Sequence, residues 1–171
     1  MANPFELFGI NVDFNLDTAL LSQCYLELQK QYHPDNFATE TETQKLQAVQ
    51  NAAQINDAYQ ILKNPIRRAE AILQLNQPES LNSEETVRDN EFLMQQLMLR
   101  EDLEAAACGC NEDIVAELRA KSESLRKEQL TTIEAAIAQT DWISLKQSIN
   151  RLKFIEKFLL EVDQIEDRLY D

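Results

Sequence analysis

The residues best suited to chemistry near neutral pH form one short segment, His33-Pro34-Asp35, which we call the H-P-D turn. It contains the single histidine of the chain, and imidazole is the side chain that most readily changes charge near pH 7. Pro34 disfavours helical geometry in the preceding residue and cannot donate a backbone hydrogen bond, which predicts an irregular turn at the end of a helix. Because aspartate after proline is also common in simple solvated turns, these three residues alone do not establish a function.

No other segment predicts a catalytic or metal site. Cys24, Cys108 and Cys110 lack the paired C-x-x-C spacing of structural zinc, and one histidine cannot supply a multi-histidine site. Cys108 and Cys110 could be ligands of a metal cluster, but they lack two further ligands, and a tight turn between helices explains them. Gly9 and Gly109 are too far apart to form a phosphate-binding loop. We therefore expect no cofactor, no metal and no enzymatic activity.

The charge of the chain favours proteins as partners. Its 171 residues include 30 acidic and 16 basic side chains, for a net charge of −14, which repels nucleic acid phosphates and anionic lipid headgroups. No apolar run approaches the ~20 residues that cross a bilayer, and we find neither a signal segment nor a disulfide framework. The expectation is a soluble cytoplasmic protein that binds no nucleic acid and no membrane.

Scarce glycine and proline favour an all-α fold. The spacing of apolar residues predicts helices over 3–10, 17–33, 39–63, 65–75, 86–107, 111–139 and 141–170. Asp17 and Asn64 are expected N-caps, and Thr39 with Glu42 resembles a capping box. A linker composition over 76–85 separates a first domain, 1–75, from a second, 86–171, which we expect to be a three-helix bundle. After residue 76, 21 acidic and eleven basic side chains give −10.

The order of these elements resembles a known family. Residues 1 to about 75 are similar to the J domain of DnaJ-type co-chaperones. The similarity rests on the order of a short helix, a second helix, Tyr32-His33-Pro34-Asp35, a long helix, the segment 56–62 (NDAYQIL) and Arg67-Arg68-Ala69. The chain also resembles the bacterial HscB family, which couples a J domain to a C-terminal three-helix domain. The features that carry this resemblance are Phe37, the helix at 65–75 and the segment 87–94 (VRDNEFLM). The resemblance covers essentially the whole chain and implies a J-domain helical hairpin joined to a three-helix bundle.

That resemblance implies a contact with the ATPase of a DnaK-type chaperone, HscA, whose hydrolysis the turn stimulates. The implied contact residues are Lys30, His33, Pro34, Asp35 and Asn36. Lys30 is nearly alone where J domains carry several basic residues, and Asn36 stands where lysine or arginine is common. Both departures fit dedication to one specialised chaperone.

The helix over 86–107 has more apolar residues than one buried stripe requires. Helical spacing places Phe92, Leu99, Leu103 and Ala106 on one side. A second set points away from it, and we call this set the apolar patch: Leu93, Met94, Leu97 and Met98. Bordered by Arg100 and Glu101, it has the character of a protein contact. In the last helix, Leu145, Ile149, Leu152 and Leu159 form the expected core stripe, and Phe154 and Phe158, lying off it, could complete the patch. The alternative is that all these residues are core.

The HscB resemblance implies that the scaffold protein IscU binds here. The positions implied are Leu93, Met94, Leu97, Arg100, Glu101 and Phe154, with Met98 in place of a typical acidic residue. The expected function is a co-chaperone that stimulates HscA and delivers IscU to it for iron–sulfur cluster maturation and transfer. The alternatives are a general J-domain co-chaperone for unfolded clients, whose β-rich or glycine-rich client region this sequence lacks, and a purely structural helical protein.

Overall fold

The computed structural model describes residues 3–37, 39–78 and 89–170, and within these ranges all the regular secondary structure is helical. The elements are α1 (Pro4–Leu7), α2 (Thr18–Tyr32), a 3-10 turn (Pro34–Phe37), α3 (Glu42–Lys63), α4 (Pro65–Asn76), α5 (Asn90–Cys108), α6 (Glu112–Ala138) and α7 (Trp142–Tyr170). The chain divides into two compact units, 1–78 and 79–171. Most of the linker expected over 76–85, and residues 86–88 of the expected helix, lie outside the described residues.

The first unit is built around a hairpin of α2 and α3. Asp17 caps α2 as predicted, because its side chain accepts the backbone N–H groups of Ala19 and Leu20. Tyr25 on α2 and Tyr59 on α3 stack with ring centroids 4.0 Å apart. The short α1 contributes Phe5 to the core, and Gly9 after it has a φ of +63°, as a glycine that ends a helical turn can adopt.

The start of α3 was predicted two residues too early. Its N-cap is Thr41, whose hydroxyl accepts the Gln44 N–H at 3.4 Å, while the Gln44 side chain accepts the Thr41 N–H at 3.1 Å. The expected cap, Thr39, stays outside the helix because the preceding turn extends that far: the Glu40 N–H donates to the Phe37 carbonyl.

Two large apolar residues near the beginning of α3 do not enter the core. Leu46 and Val49 are 60% and 52% exposed. The side chains that enter the core from α3 are Ala48, Ile55, Ala58 and Leu62. At the end of α3 near the H-P-D turn, the small Ala48 side chain enters the core, and its larger neighbours Leu46 and Val49 lie outside the core.

Arg68 on α4 holds the first unit together from inside. Only 7% exposed, it donates hydrogen bonds to the carbonyl of Phe14 at 2.6 Å and that of Leu62 at 2.7 Å. Its guanidinium also lies 5.6 Å from the centre of the Phe14 ring, and burial lowers its pKa. The sequence pattern Arg67-Arg68-Ala69 thus contains a structural residue, since α4, the end of α3 and the segment before α2 meet at this side chain.

Replacing Arg68 by methionine should lower the free energy of unfolding by about 2 kcal/mol, because buried carbonyls lose charged donors that methionine cannot replace. Urea unfolding followed by circular dichroism measures this loss. Arg67→Met is the matched control, since Arg67 is exposed; equal losses in both variants would show that the buried hydrogen bonds are unimportant.

The second unit consists of α5, α6 and α7. One cluster of its core joins all three helices: Leu99, Leu103, Ala106, Val115, Leu118, Phe158 and Val162. Arg119 on α6 binds Asp163 and Glu166 on α7, with its Nε 2.9 Å from Glu166 Oε1, and these carboxylates raise the pKa of Arg119. Phe158, which was predicted to lie off the core, is 1% exposed; that prediction is wrong because α7 buries a wider arc than a single stripe.

The expected tight turn between α5 and α6 contains one residue in the left-handed conformation. Gly109 ends α5 with a φ of −85°, and the left-handed residue is Cys110, at +48°. Glycine fits position 109 because an added Cβ would lie 3.3 Å from the Ala105 carbonyl oxygen. Thr140 takes the corresponding left-handed conformation, at +55°, between α6 and α7.

Candidate functional site

The H-P-D turn joins the ends of α2 and α3. His33 follows the last residue of α2 in an extended conformation, with φ −62° and ψ 130°. From Pro34 the chain makes a 3-10 turn, in which the Asn36 N–H donates to the His33 carbonyl at 3.0 Å. The predicted irregular turn is therefore confirmed.

The side chains of the turn have different surroundings. The Asp35 carboxylate is 89% exposed, and His33 Nδ1 lies 3.5 Å from its Oδ2. The Asp35 backbone N–H also donates to His33 Nδ1 at 3.3 Å. The imidazole therefore contacts the backbone of its own turn, while the carboxylate remains accessible.

Asn36 is tied to the end of α2. Its side-chain amide donates to the carbonyl of Lys30 at 2.7 Å and more weakly to that of Gln31 at 3.4 Å. These carbonyls belong to the last turn of the helix, where they lack partners within the helix itself. The Lys30 side chain is exposed in the same turn. The structure thus gives Asn36 a local role, and a role for Lys30 or Asn36 in binding stays a prediction.

The apolar patch is on the surface of α5. Leu93, Met94, Leu97 and Met98 are 53%, 61%, 57% and 61% exposed. The residues predicted to form the core of this helix, Phe92, Leu99, Leu103 and Ala106, are buried. The alternative that the whole helix is core is therefore wrong for these four side chains, and their accessibility is confirmed. Adjacent exposed apolar side chains are typical of a contact with another protein.

Phe154 connects the patch to α7. It is half-buried, its ring meets that of Phe92 edge-on at 5.6 Å, and the Arg100 guanidinium lies 5.5 Å from its centre. Arg100 also pairs with Glu161 on α7 at 3.8 Å. The structure therefore brings together Arg100 and Phe154 as the sequence predicted, whereas Glu101 is exposed on α5.

Sequence reasoning missed three residues that position this surface. Glu161 holds Arg100 beside Phe154, and Asp89 accepts hydrogen bonds from Arg151 of α7, with Arg151 Nε at 2.7 Å. Glu161 follows Phe154 by seven residues, two helical turns, which could have indicated a shared face. The Asp89–Arg151 pair links α7 to the N-cap of α5, so it fixes where the patch begins.

Within the described ranges, no group of three or more histidine, cysteine, aspartate and glutamate side chains is arranged to hold a metal ion. Cys108 and Cys110 are exposed, free thiols in the turn after α5.

Comparison with known proteins agrees over the whole chain. The DnaJ domain family profile matches residues 3–71, and the profile of the HSCB C-terminal oligomerisation domain matches residues 88–163. The co-chaperone protein HscB homolog of Vibrio cholerae is 45% identical over 168 residues, covering 98% of each chain. The Aliivibrio fischeri homolog is also 45% identical over 168 residues, with the same coverage.

Solved structures show the same similarity. The chaperone HscB from Vibrio cholerae superposes with a TM-score of 0.86 at 44% identity, covering 98% of this chain and 99% of the other. The human co-chaperone HscB superposes with a TM-score of 0.88 at 25% identity, covering 97% of this chain and 83% of the other. The J-domain hairpin, the helical second unit and these full-length matches show that the chain belongs to the HscB family of J-domain co-chaperones.

Proposed function

We propose that this co-chaperone stimulates the ATPase of an HscA-type chaperone and delivers an IscU-type scaffold protein to it for iron–sulfur cluster maturation and transfer. The observation that carries the proposal is the exposed apolar patch on α5 in a chain whose other unit presents an accessible H-P-D turn. Two accessible contact surfaces on two separate units are what an adaptor between two proteins requires.

The turn acts on its partner's chemistry without taking part in bond breaking. Pro34 restricts the backbone, and the exposed Asp35 carboxylate offers a charged acceptor to an arginine or to backbone donors of the ATPase. His33 positions the turn, because its Nδ1 accepts the Asp35 N–H. Lys30 adds one positive charge beside the turn, suited to an acidic ATPase surface. Hydrolysis of ATP remains the work of the partner.

The second unit holds the scaffold through the apolar patch. Burying leucine and methionine side chains supplies the non-directional part of the binding energy, and methionine adapts to an uneven partner surface. Arg100 is already held by Phe154 and Glu161, so it loses little side-chain freedom when the scaffold binds. Both partners are proteins of the cytoplasm under this proposal. None of the described helices is long and apolar enough to traverse a lipid bilayer.

The proposal predicts synergy in a single-turnover ATPase assay. The chain and the scaffold together should accelerate ATP hydrolysis by the HscA-type chaperone more than the product of their separate effects, because the adaptor raises the local concentration of scaffold at the ATPase. When the two units are separated, each fused to its own carrier protein and the carriers not associating, the first unit should still stimulate ATP hydrolysis and the synergy with the scaffold should disappear. Separate effects that simply multiply would contradict delivery.

A further inference from the structure

The first half of α5 carries the whole apolar patch, but few of its side chains hold it in place. The patch residues lie between 93 and 98, and from 90 to 98, a stretch that the structure describes in full, Phe92 is the one buried side chain. To the core cluster that joins the three helices, α5 contributes Leu99, Leu103 and Ala106. That cluster therefore supports the second half of the helix.

A cavity of about 220 Å³ lies beside the first half of α5. It is lined from all three helices, and its lining includes Phe92 and Gln95 on α5, Leu125 on α6, and Arg151 and Ile155 on α7. Protein interiors are usually close-packed, so the packing is incomplete where the patch begins. Apolar contacts alone therefore fix the position of the first turns of α5 only weakly.

Arg151 connects α7 to this part of α5. Its Nε and Nη2 lie 2.7 Å and 2.6 Å from one carboxylate oxygen of Asp89. The other Asp89 oxygen accepts the backbone N–H of Phe92 at 3.1 Å, as the N-cap of α5. The Arg151 guanidinium also lies 5.3 Å from the centre of the Phe92 ring. One side chain of α7 thus contacts both the cap of α5 and the buried residue in its first half.

These contacts extend to two edges of the apolar patch. Leu93, the first patch residue, donates its backbone N–H to the carbonyl of the N-cap residue at 2.9 Å. Phe92 meets Phe154 edge-on at 5.6 Å, and the Arg100 guanidinium lies 5.5 Å from the centre of the Phe154 ring. Direct contacts therefore link Arg151 to the beginning of the patch and to its Arg100 border.

We propose that Arg151 is a positioning residue for scaffold binding, which holds the first half of α5 in the orientation that the scaffold requires; the inference rests on the proposed function. The side chains of Arg151 and Asp89 are 34% and 19% exposed, so solvent screens their ion pair less than an exposed one. A surface that is fixed before binding loses less conformational entropy when its partner arrives. Arg151 therefore raises the affinity for the scaffold through Asp89.

Asp89→Ser separates the two roles of the Asp89 carboxylate. Serine is a good N-cap, so the cap of α5 should remain while the partner of Arg151 is removed. Asp89→Ser and Arg151→Met should each weaken binding of the full chain to an apo IscU-type scaffold about tenfold, because α5 must then be ordered on binding. The double variant should lose little more than either single variant. Arg151→Lys keeps a charged donor and should recover most of the affinity. Isothermal titration calorimetry measures these affinities.

Amide hydrogen exchange of the unbound chain measures the order of α5 directly. Exchange at residues 92–98 should become several-fold faster in Asp89→Ser and in Arg151→Met, because the first half of the helix opens more often. Arg126→Met is the matched control. It removes an arginine–carboxylate pair between α6 and α7, in which Arg126 Nε lies 2.7 Å from Glu156 Oε1. This control should lower the melting temperature and leave scaffold affinity unchanged.

The outcomes separate the positioning role from the proposed function. Additive losses in Asp89→Ser and Arg151→Met would indicate that Arg151 contacts the scaffold itself, and an equal loss in Arg126→Met would indicate a general effect of stability. Either result overturns the positioning role. Wild-type affinity in both variants, or weaker binding with unchanged amide exchange, overturns it too and leaves the proposed function intact. If the wild-type chain does not bind the scaffold, the proposed function is wrong and this inference with it.

Discussion

Replacing Asp35 by asparagine is expected to reduce stimulation of an HscA-type ATPase by about two orders of magnitude. Losing one member of a docked charge pair costs about 2–5 kcal/mol, and ~1.4 kcal/mol corresponds to a factor of ten. The amide has nearly the size of the carboxylate but carries no charge, so it removes the charge-assisted hydrogen bond and little else. Single-turnover ATPase rates with and without scaffold measure the loss.

The fold should not depend on this substitution. The Asp35 side chain is 89% exposed, and the hydrogen bond from its backbone N–H to His33 Nδ1 does not require the carboxylate. Glu40→Gln is the matched control, because it removes one negative charge from an exposed position between the same two helices. Stimulation by Asp35→Asn at the wild-type level would disprove the assigned mechanism, and an equal loss in both variants would indicate a general electrostatic effect.

Truncating the apolar patch is expected to have the second large effect. Leu93→Ala with Leu97→Ala should weaken scaffold binding about 100-fold, since truncating each leucine removes apolar contact worth about 1.4 kcal/mol and a factor of 100 is ~2.7 kcal/mol. Both leucines are more than half exposed, so the melting temperature should stay close to that of the wild type. Isothermal titration calorimetry with the apo-scaffold measures the affinity.

Phe154 is a less suitable first target than the two leucines. Its ring contacts Phe92 and Phe158, so Phe154→Ala removes core packing together with any contact to the scaffold. Ile143→Ala is the matched control for the leucines, because Ile143 is 69% exposed on α7 outside the patch. Wild-type affinity in the double leucine variant would show that the patch does not bind the scaffold.

Helix ends were predictable where one side chain decides them. Asp17 and Asn64 cap α2 and α4 as expected, because an N-cap bonds only to backbone groups two or three residues away. The start of α3 was not predictable in the same way. The sequence around it reads Thr-Glu-Thr-Glu-Thr-Gln from residue 39, so two registers match the capping pattern, and the length of the preceding turn decides between them.

The two phenylalanines of α7 show where periodicity stops being informative. Phe154 and Phe158 are four residues apart and were expected to share one environment, yet Phe158 lies in the core and Phe154 is half-buried. The width of the buried arc depends on where the neighbouring helices lie, which the spacing along one helix does not contain.

The exposed apolar patch was predictable because four large side chains exceeded what one buried stripe could hold. The ion pairs that surround it were not predictable. The two members of each pair, Arg100 with Glu161 and Asp89 with Arg151, are about sixty residues apart in the sequence. Whether they meet depends on how far α5 and α7 are shifted along their axes relative to each other. Charge composition alone therefore gave the net charge of the second unit but not the ion pairs within it.

Hydrogen bonds made by Asn36 hold the H-P-D turn in its observed conformation. Its amide closes the end of α2 through the Lys30 carbonyl, and its N–H donates to the His33 carbonyl. In the proposed contact, the turn therefore meets the ATPase already folded, and the motion lost on docking is largely that of the Asp35 side chain. Docking of such a turn is closer to rigid-body binding than to folding on binding, so temperature should change its docking rate only modestly.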